Sequence, residues 1–297
     1  MNKYLEICRP DWTKEKISKE IDLSKNVHHD KILNEKIKEI IYKGNFILNY
    51  ANDFKVYEAI SKYYDVNLEN LAIGFGATDM IDRTLRAIQI KKLFIVKPSF
   101  MMVDVYCKMN NLDYEFIDFK EINSKFNLKD SGIYIVNPNG INGEAYEIKK
   151  YSRGFKYLIV DEVYSDFYSK YSLLNEELKN LIVIKSLSKS LGFAGLRVGF
   201  CYSSKEIIKQ IQTLRMSQIT TSLATLVVPK IINMTNEVIL RMQLTKKFLE
   251  KKFKCKNSYA NYVLFKDNNK YTEKFGCKKI EGYYRMALID MESLNGK

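Results

Sequence analysis

The sequence predicts an α/β fold, a mainly parallel sheet between helices with a small α+β domain formed by the two ends of the chain. Three observations lead there. Short unbroken apolar runs recur, such as LFIV (93–96), IYIV (133–136) and LIVI (181–184), and a strand that is apolar at every position needs cover on both faces. Between the runs lie amphipathic stretches with apolar residues at helical spacing. The Gly-rich, polar or charged clusters sit just after the runs, where open α/β sheets bind their ligands.

In chain order, residues 1–29 read as irregular, with IDLSKN (21–26) a short extended piece. Residues 30–43 place Ile32, Leu33, Ile37, Ile40 and Ile41 at helical spacing, and 53–64 do the same with Phe54, Tyr57, Ile60 and Tyr63 on one side. A series of strand and turn units follows. LAI (71–73) precedes GFGATD and a helix over 78–90, and LFIV precedes KPSF and a helix reaching 110. IYIV precedes NPNGING, YLIV (157–160) precedes DEVY, LIVI precedes SLSK, and VGFCY (198–202) precedes SSKE and a further helix. Pro229 interrupts the apolar stretch 223–232. Residues 235–253 read as a long helix leaving the sheet, while SYANYVLF (258–265) and YYRMALI (283–289) supply strands to the smaller unit. The expected division is a large domain over 30–234 and a small, abbreviated one from 1–29 with 235–297.

Composition narrows the classes. A chain of 297 residues that is 46% hydrophobic can bury a full core. Its net charge of +13 invites a nucleic-acid partner. The lysines are spread through amphipathic segments such as 30–43, however, which fits a solvated basic surface attractive to small anions, and no nucleic-acid partner is expected. The first residues lack the apolar run of a signal peptide, and no later stretch reads as a membrane span. Cys8, Cys107, Cys201, Cys255 and Cys277 are scattered and free of CxxC spacing, which points to reduced thiols in a cytoplasm. The only histidines, His28 and His29, are adjacent and make no metal site with these cysteines.

The candidate chemistry gathers around Lys189. It follows the run LIVI and the alternate serines Ser186 and Ser188, and Arg197 comes within the Gly-rich segment that follows. An amine able to form an imine, beside hydroxyls and a guanidinium able to hold a phosphate, is what a pyridoxal 5′-phosphate (PLP) site requires. Asp161 and Glu162 end the run YLIV, and a carboxylate there needs a partner. A pyridinium nitrogen is one such partner; an N-cap or structural hydrogen bond is another. Tyr164 would donate to the ring's 3-oxygen. Gly74 and Gly76 make a strand–helix turn, with Ala77 and Thr78 at a helix start whose free N–H groups suit a phosphate, or else the turn is a plain connection. Phe100 stacks on a ring or fills the core. Asn137 and Asn139 lie in a turn-rich run whose amides reach the same ligand or serve an ordinary loop. Arg285 grips a carboxylate or forms a salt bridge. Tyr50 has no signal of its own.

Taken in order, GFGATD, KPSF, NPN, DEVY, SLSKSLGFAGLRVGF, SYANYVLF and YYRMAL resemble the PLP-dependent aminotransferases of fold type I, class I/II. The similarity is to the branch that holds histidinol-phosphate aminotransferases and threonine-phosphate decarboxylases. It covers residues 21–288, and SLSKSLGFAGLRVGF is its most specific part. Position by position, the resemblance implies that Lys189 is the Schiff-base lysine and proton carrier, that Asp161 pairs with the pyridine nitrogen and that Tyr164 meets the 3-oxygen. Ser186, Ser188 and Arg197 would bind the cofactor phosphate with the amides of Ala77 and Thr78 after Gly76, and Phe100 would stack on the ring. Tyr50 would reach the cofactor of the neighbouring subunit in a homodimer. Arg285 would hold the substrate α-carboxylate, and Asn26 matches an asparagine in the family's opening stretch, on the substrate side.

Two departures stand out. Where the family usually reads NPNNPTG, this chain has Gly140 in place of the second Asn of the pair, so its contact with the 3-oxygen is lost or taken by Asn139 or Asn142. A second arginine usually precedes the carboxylate-binding one; here only Lys278 and Lys279 are available, and lysine is a poorer bidentate clamp. The activity implied is amino transfer between an amino acid, glutamate by family analogy, and a small keto or aldehyde substrate that carries a phosphate in the same analogy. The alternative is decarboxylation of a phosphorylated amino acid. A degenerate, nucleic-acid-binding relative is disfavoured, because the core cofactor positions other than 140 hold chemically competent residues.

Overall fold

Two β-sheets organise the chain, of which the structure, a computed structural model, describes residues 21–44, 50–122 and 128–295. The expectations for residues 1–20, Cys8 among them, lie outside the described residues. The larger sheet has seven strands in the order β1-β7-β6-β5-β4-β2-β3. These are Leu71–Phe75 (β1), Lys92–Lys97 (β2), Asp113–Asp118 (β3), Leu128–Val136 (β4), Phe155–Asp161 (β5), Leu181–Ser186 (β6) and Val198–Ser203 (β7). Pairing is parallel from β3 through β6, and β7 runs antiparallel to both of its neighbours, β6 and β1. The fold is thus the α/β class that the apolar runs predict.

Why the runs are unbroken is visible in the two faces they bury. Leu181 and Val183 pack with Phe94, Ile133 and Leu158 on one side, while Ile182 and Ile184 pack with Ile95, Tyr134 and Ile159 on the other. Helices Ala77–Ala87 (α3), Met102–Met109 (α4) and Lys205–Thr213 (α6) cover the second side with Met80, Ile81, Met102, Val105 and Ile208. A further core joins Lys31–Tyr42 (α1), Asp53–Tyr64 (α2), Ser222–Ile231 (α7) and Thr235–Lys252 (α8) to the smaller sheet. That sheet is antiparallel, in the order β10-β11-β9-β8, from Cys255–Lys256 (β8), Tyr262–Phe265 (β9), Lys278–Ile280 (β10) and Tyr283–Ala287 (β11). Short helices Leu187–Ser190 (α5), Lys270–Phe275 (α9) and Met291–Asn295 (α10) complete the chain. Asp30 caps α1 by accepting from the Leu33 amide at 2.8 Å and also takes two bonds from Arg241 of α8, at 2.6 and 3.0 Å.

Several expectations change in the structure. IDLSKN is a turn rather than an extended piece, because the Asp22 carboxylate accepts from Ser24 N and Asn26 takes a left-handed φ of 55°. Pro229 sits inside α7, and the break comes only at a 3-10 turn after it, Ile232–Met234. The strand β3 was not visible as an apolar run, since it lies at the sheet edge with only Ile117 buried. In α2 the buried residues are Val56 and Ile60, while Phe54 is exposed. The strand expected over 258–265 covers only Tyr262–Phe265, and a two-residue strand, Cys255–Lys256, precedes it. The run Ser222–Lys252 is long and apolar enough to cross a bilayer by those measures alone, yet Ala224, Val227, Val228, Ile231, Val238 and Met242 face the protein core.

The antiparallel course of β7 decides where the site lies. Its first residues lie beside the last residues of its neighbours, Val198 opposite Phe75 and Gly199 opposite Ser186. Gly199 also lies against the start of α3: a Cβ there would meet Gly76 O at 2.8 Å and the Gly76 carbon and Ala77 nitrogen more closely still. Gly199→Ala should therefore destabilise the protein by about 1–3 kcal/mol through overpacking against backbone that cannot move aside. Gly195→Ala, whose Cβ meets nothing within 4 Å, should leave the thermal midpoint unchanged; equal midpoints for the two variants would refute the argument.

Candidate active site

At the carboxyl edge of the large sheet, the loop after β1, the start of α5 and the turn before β7 form a small polar cradle. Gly76 adopts φ 84°, open to glycine at no steric cost, and a Cβ there would lie 2.6 Å from the Arg197 guanidinium. α3 begins at Ala77, so the first amides of its N-terminus, with Thr78 among them, carry the helix's positive end. Arg197 itself is left-handed, φ 54°, and its guanidinium donates to the carbonyls of Ala194 at 3.1 Å and Phe75 at 3.4 Å. Ser186 caps α5, its hydroxyl accepting from Ser188 N at 3.2 Å and donating to the Val198 carbonyl at 3.2 Å. The Ser188 hydroxyl is buried and has no partner among the described residues. A buried hydroxyl beside a guanidinium and a helix N-terminus, in a recess cleared by two glycines, is suited to a phosphate.

Next to the cradle stands Lys189, half-buried on α5, with Nζ 3.2 Å from the Lys25 carbonyl and 5.9 Å from the centre of the Tyr164 ring. Burial pushes its amine down to about 8, helped by the positive charges of Arg285 and Arg197 and opposed by Asp161. Asp161, at the end of β5, is 3% exposed. Its carboxylate accepts from the Tyr134 hydroxyl at 2.6 Å and from Val163 N at 3.2 Å. Burial pushes Asp161 up to about 6 despite these bonds and the charge of Lys189. A cation placed against Asp161 would return it to the carboxylate form, which is what a protonated ring nitrogen does. Tyr164 accepts from Asn26 Nδ2 at 3.0 Å. Arg285, on β11, donates to the Gly140 carbonyl at 2.9 Å and to the Ser24 carbonyl at 3.3 Å, and its Nε is buried with no partner among the described residues. An amine, a carboxylate, a phenol and a guanidinium around one recess, with a phosphate-sized cradle at its side, fit PLP.

The remaining candidates behave differently. Asn137 closes its own loop through both side-chain atoms on Tyr146, each at 2.9 Å. Asn139 donates to the Pro98 carbonyl and accepts from Ile141 N and Asn142 N, and Asn142 is tied to Glu144. Neither amide is therefore free to replace a side chain at 140. Phe100 is partly buried against the hydrophobic cluster of α3 and α4. Tyr50 stands apart, 89% exposed. Two residues of the site were not singled out in the sequence. Tyr134 lies on β4 diagonal to Asp161, two residues before its cross-strand partner Val136. Tyr262 lies on β9, diagonal to Arg285, with its ring 5.5 Å from that guanidinium and its hydroxyl 3.1 Å from the Asn139 carbonyl. Strand alternation was the available signal in both cases; the register between strands was not.

Comparison with known proteins identifies the family. The sequence profile of aminotransferase class I and II matches residues 18–294. The histidinol-phosphate aminotransferase of Buchnera aphidicola is 30% identical over 77% of this chain and 74% of its own length. Among solved structures, histidinol-phosphate aminotransferase from Sinorhizobium meliloti in complex with pyridoxal-5′-phosphate superposes with a TM-score of 0.74 at 13% identity, over 95% of this chain and 89% of the other. L-threonine-O-3-phosphate decarboxylase from Porphyromonas gingivalis superposes with a TM-score of 0.71 at 17% identity, over 93% and 96%. With the fold, the lysine and the cradle in place, the chain belongs to the class I and II aminotransferases, the PLP-dependent enzymes of fold type I.

Proposed function

We propose that this aminotransferase moves an amino group between an amino acid, glutamate in the simplest case, and a small keto or aldehyde compound that carries a phosphate. The observation that carries the reading is a buried Lys189 amine that feels the charges of Arg285, Arg197 and Asp161, next to a cradle whose Ser188 hydroxyl has no partner among the described residues. PLP bound there supplies an aldehyde that condenses with amines and a ring that takes up the electron pair left when the Cα–H bond breaks. The chain does the rest. Ser186, Ser188, Arg197 and the amides of Ala77 and Thr78 hold the phosphate. Asp161, anionic beside a cation, keeps the ring nitrogen protonated. The amine of Lys189, lowered toward neutral pH by burial, would take the proton from Cα and return it to the carbon that PLP contributes as its aldehyde. Arg285, whose Nε has no partner among the described residues, would meet a carboxylate.

The same side chains serve decarboxylation of a phosphorylated amino acid, and what differs is which Cα bond stands perpendicular to the ring. Amino transfer is preferred on the 30% identity to an aminotransferase; the decarboxylase likeness, at 17% identity, extends to fold alone. A paired, cytoplasmic enzyme completes the reading. Its support is the exposure of Tyr42, Tyr50 and Phe54, three large side chains close together in the sequence, and the four free thiols among the described residues. In a homodimer Tyr50 would complete the neighbouring cradle.

Purified protein given PLP should develop an absorbance band typical of a lysine imine, and Lys189→Ala should abolish it; a parent protein that gains no band overturns the reading. In single turnovers with glutamate, pyridoxamine phosphate should accumulate, and release of carbon dioxide without it would favour the decarboxylase. Arg197→Ala should weaken PLP binding roughly tenfold to a hundredfold, the worth of a charged hydrogen bond, with little change for pyridoxal lacking the phosphate. Because burial holds the Lys189 amine at about 8 and only the neutral amine attacks, PLP incorporation should accelerate with pH up to about 8 and level off above it. A rate still climbing at pH 10 would contradict that depression.

A further inference from the structure

The glycine at position 140 is explained by what lies against it. Gly140 is not among the residues of positive φ, so no left-handed backbone requires a glycine there. The requirement is space: a Cβ at 140 would lie 2.5 Å from Tyr164 Cε2 and 3.0 Å from both Cζ and Oη. The Tyr164 ring occupies the volume that a side chain at 140 would fill. Its position is fixed by Asn26, which is 3% exposed and whose Nδ2 donates both to Tyr164 Oη at 3.0 Å and to the Gly140 carbonyl at 3.3 Å. Asn26 is itself pinned, because Asn261 donates to its carbonyl at 3.0 Å. The Gly140 carbonyl also accepts from Arg285 at 2.9 Å. One peptide group thus joins the phenol's donor to the guanidinium on the other side of the pocket.

A phenol has one hydrogen to give. Since Tyr164 Oη accepts from Asn26 and donates to no acceptor among the described residues, that hydrogen is left for the recess that holds Lys189. We propose that Asn26 is a positioning residue that acts through Tyr164, orienting the phenol's hydrogen and strengthening it as a donor to the cofactor ring's 3-oxygen, with Gly140 as the clearance that makes the arrangement possible. The proposal rests on the reading that Tyr164 faces that oxygen. Charge around the phenol points the same way: burial pushes its ionisation up, while the Asn26 hydrogen bond and the Arg285 charge pull it back, against Asp161. A donor aimed at the 3-oxygen favours the anionic form of that oxygen and draws basicity away from the nitrogen linked to Lys189.

The readout is the absorbance titration of the chromophore in the holoenzyme. Asn26→Gly is the main variant, because the left-handed φ of 55° suits glycine and only the amide is removed. It should raise the titration midpoint by roughly half to one pH unit, the worth of one hydrogen bond. Tyr164→Phe should raise it at least as far, and the double variant should go no further than Tyr164→Phe alone. Gly140→Ala, which retains Asn26 but displaces the ring, should shift the midpoint in the same direction and keeps the proposal testable if Asn26→Gly does not fold. An unshifted midpoint in Asn26→Gly, or additivity in the double variant, would overturn the role of Asn26 while leaving that of Tyr164. An unshifted Tyr164→Phe would overturn the placement of Tyr164 at the ring, and the proposal with it.

Discussion

The close approach of β7 to the start of α3 is the constraint on which the site depends. A strand running against its two parallel-wound neighbours brings its first residue to the edge where theirs end. The contact closes only because Gly199 presents no side chain to the Gly76–Ala77 backbone, and Gly76 in turn leaves room for the Arg197 guanidinium. Arg197 precedes β7, Ser186 ends β6 and Ala77 opens α3, so one backbone contact sets a guanidinium, a hydroxyl and a helix N-terminus around the same recess. Lys189 follows because Ser186 caps the single turn of helix that carries it.

Around that recess the protein leaves polarity uncompensated. The Ser188 hydroxyl, Arg285 Nε and Asn26 Oδ1 are buried without partners among the described residues. Buried polar groups are ordinarily satisfied, and groups left unsatisfied in this way are what a polar ligand would pair with. The two ionisable groups tell the same story from opposite signs. Burial moves the Lys189 amine down and the Asp161 carboxyl up, each toward its neutral form. A ligand that presents a cation to Asp161 and an aldehyde to Lys189 uses both displacements.

The smaller sheet and the chain before α1 form the other wall. Leu23 donates to the Phe275 carbonyl and accepts from Ala287 N, and His29 pairs with Ile289. Asn261 holds Asn26, and the buried Asp30–Arg241 pair fastens α1 to α8. A segment far from Lys189 in sequence thereby becomes part of its surroundings, and with it the phenol of Tyr164, in the turn after β5, gains a donor from Asn26.

By itself the sequence determined the layered α/β architecture, because unbroken apolar runs admit few environments other than a sheet covered on both faces. It also brought the candidate cradle and lysine together, because Ser186, Ser188, Lys189 and Arg197 lie within one short motif. Edge strand β3 escaped notice because one buried residue makes no pattern. Tyr134 and Tyr262 escaped because their roles depend on strand register, which pairs residues far apart in the chain. Gly140 read as a lost contact, and only the tertiary structure showed a tyrosine ring in the vacated space and an asparagine from residue 26 holding it. The physical reason is the same in each case: composition and spacing are local, whereas steric clearance and hydrogen-bond direction exist only once distant segments have packed.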